Sequence, residues 1–114
     1  MSDRRHSARA DRMDPAALFA ALGDPTRLSL VGKLSVDTRL SIARLTEGSA
    51  LTRQAVTKHL RVLETAGVVR SERSGRESLY RLEPAPIAEM RSYLDDISRQ
   101  WDDALSRLKA FVEE

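Results

Sequence analysis

The sequence predicts a mainly α-helical domain with one small β-hairpin, in the element order α-α-α-α-β-β-α. Three observations carry this prediction. Residues 52–66 place apolar side chains on one side of a helix and polar, mostly cationic ones on the other. Residues 68–82 have the composition of two short strands around a glycine-containing turn. The last part of the chain repeats apolar residues every seven positions, a period typical of helices that pair.

The composition of the 114-residue chain fits one domain and excludes several kinds of chemistry. Apolar residues make up 41% and charged residues 32%, values that favour a folded helical domain over a disordered chain. The absence of cysteine excludes disulfides, thiol nucleophiles and thiolate metal sites. The chain has no apolar run of transmembrane length and no signal-peptide segment at its N-terminus, so we expect a soluble cytoplasmic protein.

Charge is unevenly distributed along the chain. Residues 53–81 hold seven basic residues against three acids, whereas residues 83–114 hold four basic residues against eight acids. The first segment therefore suits a polyanion such as nucleic acid. The alternative is that these charges only solvate exposed helices. Residues 1–12 are polar and predict a disordered basic arm, either idle or in contact with phosphates, and residues 13–114 are predicted to form the folded domain.

Helix starts are marked by capping residues. Asp14-Pro15 and Asp24-Pro25 each predict a helix with an aspartate N-cap and proline at the first helical position, and Gly23 ends the first of them. Ser41 is expected to cap a short third helix that ends near Gly48.

The fourth helix begins after Thr52 and ends at Gly67. Its predicted core face carries the apolar residues Val56, Leu60 and Leu63, with His59 at the edge. Together with the third helix it forms a predicted helix-turn-helix. The hairpin that follows consists of strands at 68–73 and 78–82 with a turn at 74–77, and Tyr80 and Leu82 are expected to face inward.

The last helix is predicted to run over about residues 86–112. Its heptad predicts pairing with a second chain, while the alternative is packing on its own domain. We expect Trp101 to lie in the dimer core rather than to stack on a ligand. The predicted pairing set takes one residue from the first helix and the rest from the last: Leu18, Ile87, Met90, Leu94, Ile97, Trp101, Leu108 and Phe111.

Three motifs identify a related family. With ALGDPTRLSLV at 21–31, TRQAVTKHLRVLETAGVV at 52–69 and GRESLYRL at 75–82, the chain resembles the ArsR family of winged helix-turn-helix transcriptional regulators over about residues 14–112. The resemblance implies a homodimeric repressor that binds double-stranded DNA at an imperfect palindrome. It also implies that the fourth helix lies in the major groove and that the hairpin is the wing.

The chain departs from the metal-sensing members of that family. The third helix has no thiol, and the last helix has carboxylates but no histidine, whereas transition-metal sites usually recruit imidazole or thiolate. We therefore expect no metal site and no cofactor. The chain resembles the cysteine-free branch, in which any effector is a non-metal small molecule or a protein.

The predicted DNA-contacting set combines the fourth helix and the wing: Thr52, Arg53, Gln54, Thr57, Lys58, His59, Arg61, Arg73 and Arg76. Gln54 and Thr57 suit base edges, because glutamine pairs with adenine and the threonine methyl contacts the thymine methyl. The cations and Thr52 suit phosphates. His59 is equally well explained as a packed residue.

Catalysis has no support in the sequence, since neither histidine has a nearby nucleophile and no glycine-rich phosphate loop is present. The function alternatives are a protein-interaction scaffold without DNA and an architectural DNA binder without sequence preference. Operator binding compared with random DNA distinguishes them.

Overall fold

The computed structural model describes residues 14–113, so the predicted N-terminal arm lies outside the described residues. The elements in chain order are α1 (Pro15–Leu22), α2 (Pro25–Val36), β1 (Leu40–Ser41), α3 (Ile42–Thr46), α4 (Arg53–Thr65), β2 (Val69–Ser74), β3 (Glu77–Leu82) and α5 (Pro84–Glu113). The predicted order of helices and hairpin is confirmed, with one additional short strand.

Each of the first four helices begins at the capping residue that the sequence predicts. The Asp14 carboxylate accepts from the backbone N–H of Ala16, and the Ser41 hydroxyl accepts from that of Arg44 at 3.2 Å. The Thr52 hydroxyl accepts from the backbone N–H of Ala55 at 3.1 Å and so fixes the start of α4. These local hydrogen bonds satisfy N–H groups that have no partner within a helix.

The β-sheet has three antiparallel strands in the order β1-β3-β2. The β2–β3 hairpin pairs Ser74 with Glu77 across a two-residue turn, where Gly75 adopts a φ of 63°. Strand β1 adds two residues to the outer edge of β3, with Leu40 opposite Tyr80. Strand β1 was not predicted, because a two-residue strand has no periodicity of its own.

The hydrophobic core draws on all helices and strands. Leu18, Leu45, Leu60 and Leu63 are fully buried in it, and Tyr80 packs inward as predicted. One side of α4 is therefore buried in the core, and its opposite side lies at the surface.

Helix α5 begins at Pro84, two residues before the predicted start, and spans 30 residues. At a rise of about 1.5 Å per residue it is about 45 Å long. The molecule measures 67 × 45 × 20 Å, so this helix extends well past the small body that supports it. Within residues 14–113, none of the helices is both long enough and apolar enough to span a membrane.

Candidate nucleic-acid interface

Helix α4 presents a polar surface because its apolar side is anchored. Val56, Leu60 and Leu63 are buried, whereas Arg53, Gln54, Lys58 and Arg61 are exposed. The preceding turn is shaped by Gly48, whose φ of 74° favours glycine, and by Ser49, whose hydroxyl accepts from the backbone N–H of Leu51 at 3.0 Å. The short α3, the turn and α4 form the predicted helix-turn-helix.

The wing and α4 converge on one cleft. Arg53 at the start of α4 and Arg76 at the wing turn both line a cleft of about 260 Å³, together with residues 41–43 at the start of α3. Arg73 donates from its Nε to the carbonyl oxygen of Gly75 at 3.3 Å, which holds this arginine beside the turn. Arg53 and Arg76, from distant parts of the chain, therefore line the same cleft, which Glu77 and Ser78 also line.

Ion pairing separates the cations of the basic segment into two groups. Arg81 pairs with Glu72 at 2.8 Å, and Arg70 lies 3.6 Å from Glu83. Glu64 accepts a hydrogen bond from the Ser71 hydroxyl at 2.8 Å. Among residues 14–113, no carboxylate lies within 4.0 Å of the five predicted contact cations, Arg53, Lys58, Arg61, Arg73 and Arg76. The acids of this segment thus leave those five cations available to an external anion.

Thr57 is half-buried at the edge of this surface. Its hydroxyl donates to the carbonyl oxygen of Arg53 at 2.7 Å. Because the hydroxyl hydrogen already has a partner within the helix, Thr57 offers an external partner its methyl group and the accepting side of its oxygen.

His59 lies at the edge of the exposed polar surface with its side chain 25% exposed, so its place in the DNA-contacting set stays a prediction beside the alternative of a packed residue. Its Nδ1 lies 3.4 Å from Nη1 of Arg27 and 3.8 Å from a carboxylate oxygen of Asp24. Arg27 is in turn held by a 2.6 Å hydrogen bond from its Nε to the carbonyl oxygen of Ala21. His59 lies at the edge of the apolar stripe of α4, and these contacts hold its ring against the start of α2. This link joins α4 to the α1–α2 corner.

Asp24 caps α2 and also faces His59. The backbone N–H of Arg27, at 3.0 Å, is the main cause that lowers the pKa of the Asp24 carboxyl, while partial burial opposes it. A carboxyl whose folded pKa lies below its unfolded value stabilises the fold above the unfolded pKa, and that stability is lost as pH falls through the folded pKa.

Replacing Asp24 with alanine should therefore lower the free energy of unfolding at neutral pH, and the difference from the unchanged protein should shrink as pH falls below about 4. Urea unfolding at several pH values measures this difference. Asp37→Ala, at the C-terminal end of the same helix, is the control. A deficit for Asp24→Ala that stays constant down to pH 2 would contradict a role for the ionised carboxylate.

The predicted pairing set divides into buried and exposed members. Leu18 and Met90 are only 0% and 5% exposed, so they belong to the core of the single chain and their assignment to the interface is corrected. The N-terminal part of the heptad faces the chain's own body, where α1 covers it. Ile87 packs against the core, and Ile97 is partly exposed.

Beyond Met90 most of the apolar side chains of α5 are exposed among residues 14–113. Leu94, Trp101 and Phe111 are 50%, 64% and 77% exposed, and Leu108 is exposed as well. Three further apolar residues of this helix are exposed and were not in the predicted pairing set: Tyr93, Leu105 and Val112. Leu105 and Val112 follow Trp101 and Leu108 by four positions, so a search for a wider helical stripe identifies them.

Among the described residues, no group of three or more His, Cys, Asp or Glu side chains is arranged to hold a metal ion.

Comparison with known proteins identifies the family. Residues 22–72 match the helix-turn-helix domain family. The chain is 34% identical over 99 residues to the HTH-type transcriptional regulator Rv2034 of Mycobacterium tuberculosis, covering 87% of this chain and 89% of that protein. It is 36% identical over 88 residues to the HTH-type transcriptional repressor SmtB of the same organism, of which it covers 63%.

Solved structures agree with these relatives. The chain is similar to an ArsR-like transcriptional regulator from Rhodococcus sp. RHA1, with a TM-score of 0.71 and 34% identity over 85% of this chain and 91% of that one. The exposed α4, the wing and these similarities together lead to one conclusion: the chain belongs to the ArsR family of winged helix-turn-helix transcriptional regulators.

Proposed function

We propose that this transcriptional regulator is a homodimeric repressor that binds a palindromic operator, with the N-terminal half of α4 in the major groove and the wing on the DNA backbone or minor groove. The proposal rests on five cations of α4 and the wing that have no carboxylate partner among residues 14–113. Gln54 stands among them on the exposed side of α4. Phosphate contacts by the cations would position the helix, and Gln54 would read a base edge.

A homodimer is supported by the exposed apolar side of α5. Large apolar side chains that are at least half exposed recur along this helix from Leu94 to Val112. Contiguous exposed apolar surface of this kind marks an interaction site, and the sevenfold repeat suits a second copy of the same helix. Two-fold symmetry of the protein would require a palindromic site.

The experiment that tests the proposal is footprinting on the DNA that flanks the protein's own gene, followed by affinity measurements on the protected sequence and on random duplex. A protected palindrome bound at least a hundredfold more tightly than random DNA is expected, since specific sites typically exceed non-specific ones by 10³-fold or more. Equal affinities would favour an architectural DNA binder, and absence of binding would favour an interaction scaffold.

Repression is proposed to be independent of metal and of catalysis. Cysteine is absent from the sequence, and the carboxylates of α5 occupy polar positions without histidine beside them. We therefore expect operator affinity to remain unchanged when a chelator, zinc, cadmium or arsenite is added. Fluorescence anisotropy with a labelled operator measures this, and a stoichiometric metal that weakens the complex at micromolar concentration would contradict it.

A further inference from the structure

An open apolar groove of about 640 Å³ lies between α1 and the C-terminal half of α4. Ala17 and Ala20 contribute from α1, Val62 contributes from α4, and Ala66 contributes from the C-cap of α4. Small side chains on the α1 side leave the groove open. Its volume is in the range of pockets that bind small molecules, which are mostly apolar with few polar groups.

Two polar side chains line the groove, Arg61 and Thr65, and they lie about one turn apart on α4. Arg61 is exposed and, among residues 14–113, has no carboxylate within 4.0 Å. A guanidinium beside an apolar surface complements a ligand with an apolar body and an anionic head. A planar carboxylate fits this description because arginine can hold both of its oxygens.

We propose that this groove binds a small apolar carboxylate, with its body between α1 and α4 and its carboxylate on Arg61, and that binding weakens the hold on the operator. This inference rests on the proposed function, in which Arg61 holds a DNA phosphate. One guanidinium cannot serve the ligand carboxylate and the phosphate equally well, so each partner lowers the affinity for the other by a finite factor. By linkage, the operator lowers the affinity for the ligand by the same factor.

A second copy of the chain is a poor occupant of this groove. Helix α1 packs on α5 through Phe19, whose ring centroid lies 5.9 Å from that of Tyr93. At about 100° per residue, Ala17 and Ala20 lie roughly 160° and 100° around the helix from Phe19. The groove therefore opens away from α5 and from the apolar side of α5 proposed to pair. Residues 1–13 are also a poor occupant, because their four arginines and two aspartates give them the same sign of charge as Arg61.

The test uses naphthoate as the probe, an apolar carboxylate that does not form micelles, added to the complex of the full chain with labelled operator. Naphthylmethanol and naphthylmethylamine, of the same shape but neutral and cationic, are the control compounds. We expect naphthoate to lower operator affinity on the order of tenfold at saturation, within the range of typical coupling between sites, and the control compounds to leave it unchanged. Methyl NMR without DNA should show naphthoate shifting the signals of Ala17, Ala20 and Val62.

A groove-filling variant locates the effect. Ala20→Phe should lose the response to naphthoate, because the ring occupies the space of the ligand. It should keep operator binding, because α1 supplies no residue of the predicted DNA-contacting set. Ala16→Phe, exposed on the same helix outside the groove, should keep both. An unchanged response in Ala20→Phe, an equal effect of naphthylmethanol, or methyl shifts confined to α5 would each overturn the inference. Absence of operator binding by the unsubstituted protein, measured without naphthoate, would instead contradict the proposed function.

Discussion

Replacing Leu94 and Trp101 together with glutamate should convert the protein to a monomer and abolish operator binding in the same step. Both side chains are at least half exposed, so they contribute little to the core of the single chain and the monomer should remain folded. In a dimer each buried side chain of this size contributes about 1.5–3 kcal/mol, and the substitutions would also place four carboxylates in one apolar interface. A monomer presents only one α4 and loses the second half-site.

Sedimentation velocity gives the oligomeric state of this variant, far-UV circular dichroism gives its helix content, and anisotropy gives its operator affinity. The control is Ser92→Glu with Gln100→Glu, which adds the same charge to exposed positions of α5 outside the predicted heptad rows and should leave the dimer intact. A native protein that sediments as a monomer at micromolar concentration would exclude the proposed dimer. Loss of helix content in the variant would mean that this side of α5 supports the chain's own fold.

Elements with local signals could be predicted from the sequence, and those with non-local causes could not. The starts of the first four helices depend on a single capping side chain and its nearest N–H groups, so Asp14 and Thr52 were sufficient to locate two of them. Strand β1 exists only because Leu40 meets Tyr80, forty positions later in the chain. No pattern within two residues indicates such a pairing.

The same limit applies to the candidate interface. Helical periodicity correctly separated the buried side of α4 from its exposed side, because the period is a local property. It could not tell whether an apolar residue of α5 is buried in the chain's own core, as Met90 is, or remains half exposed, as Leu94 does. It also could not assign His59, whose neighbours Asp24 and Arg27 lie on another helix. Which cations remain without a carboxylate partner likewise depends on tertiary contacts.

Replacing Gln54 with alanine should weaken binding to the palindromic operator and leave binding to random duplex nearly unchanged. Gln54 is exposed in the first turn of α4, where a recognition helix reaches base edges, and a bidentate contact to adenine contributes about 1–3 kcal/mol of discrimination in each half-site. Symmetry would place the two α4 helices about 34 Å apart, in successive major grooves. Because both half-sites carry the change, its free-energy cost in the dimer doubles. Gln100→Ala, on α5, is the matched control.

Arg76→Ala should show a different pattern and weaken binding to both the operator and the random duplex. A phosphate contact carries no sequence information, and its loss should reduce the slope of log affinity against log salt by about one unit per half-site. Arg70→Ala is the matched control on the same hairpin, because Arg70 already lies 3.6 Å from Glu83 and should contribute little. The measurement is a salt series on operator and random duplex for all four variants. An equal loss of affinity on both duplexes for Gln54→Ala would contradict its role in reading bases, since base contacts specify sequence. Unchanged salt slopes for Arg76→Ala would contradict its role in holding a phosphate, since phosphate contacts only position the protein.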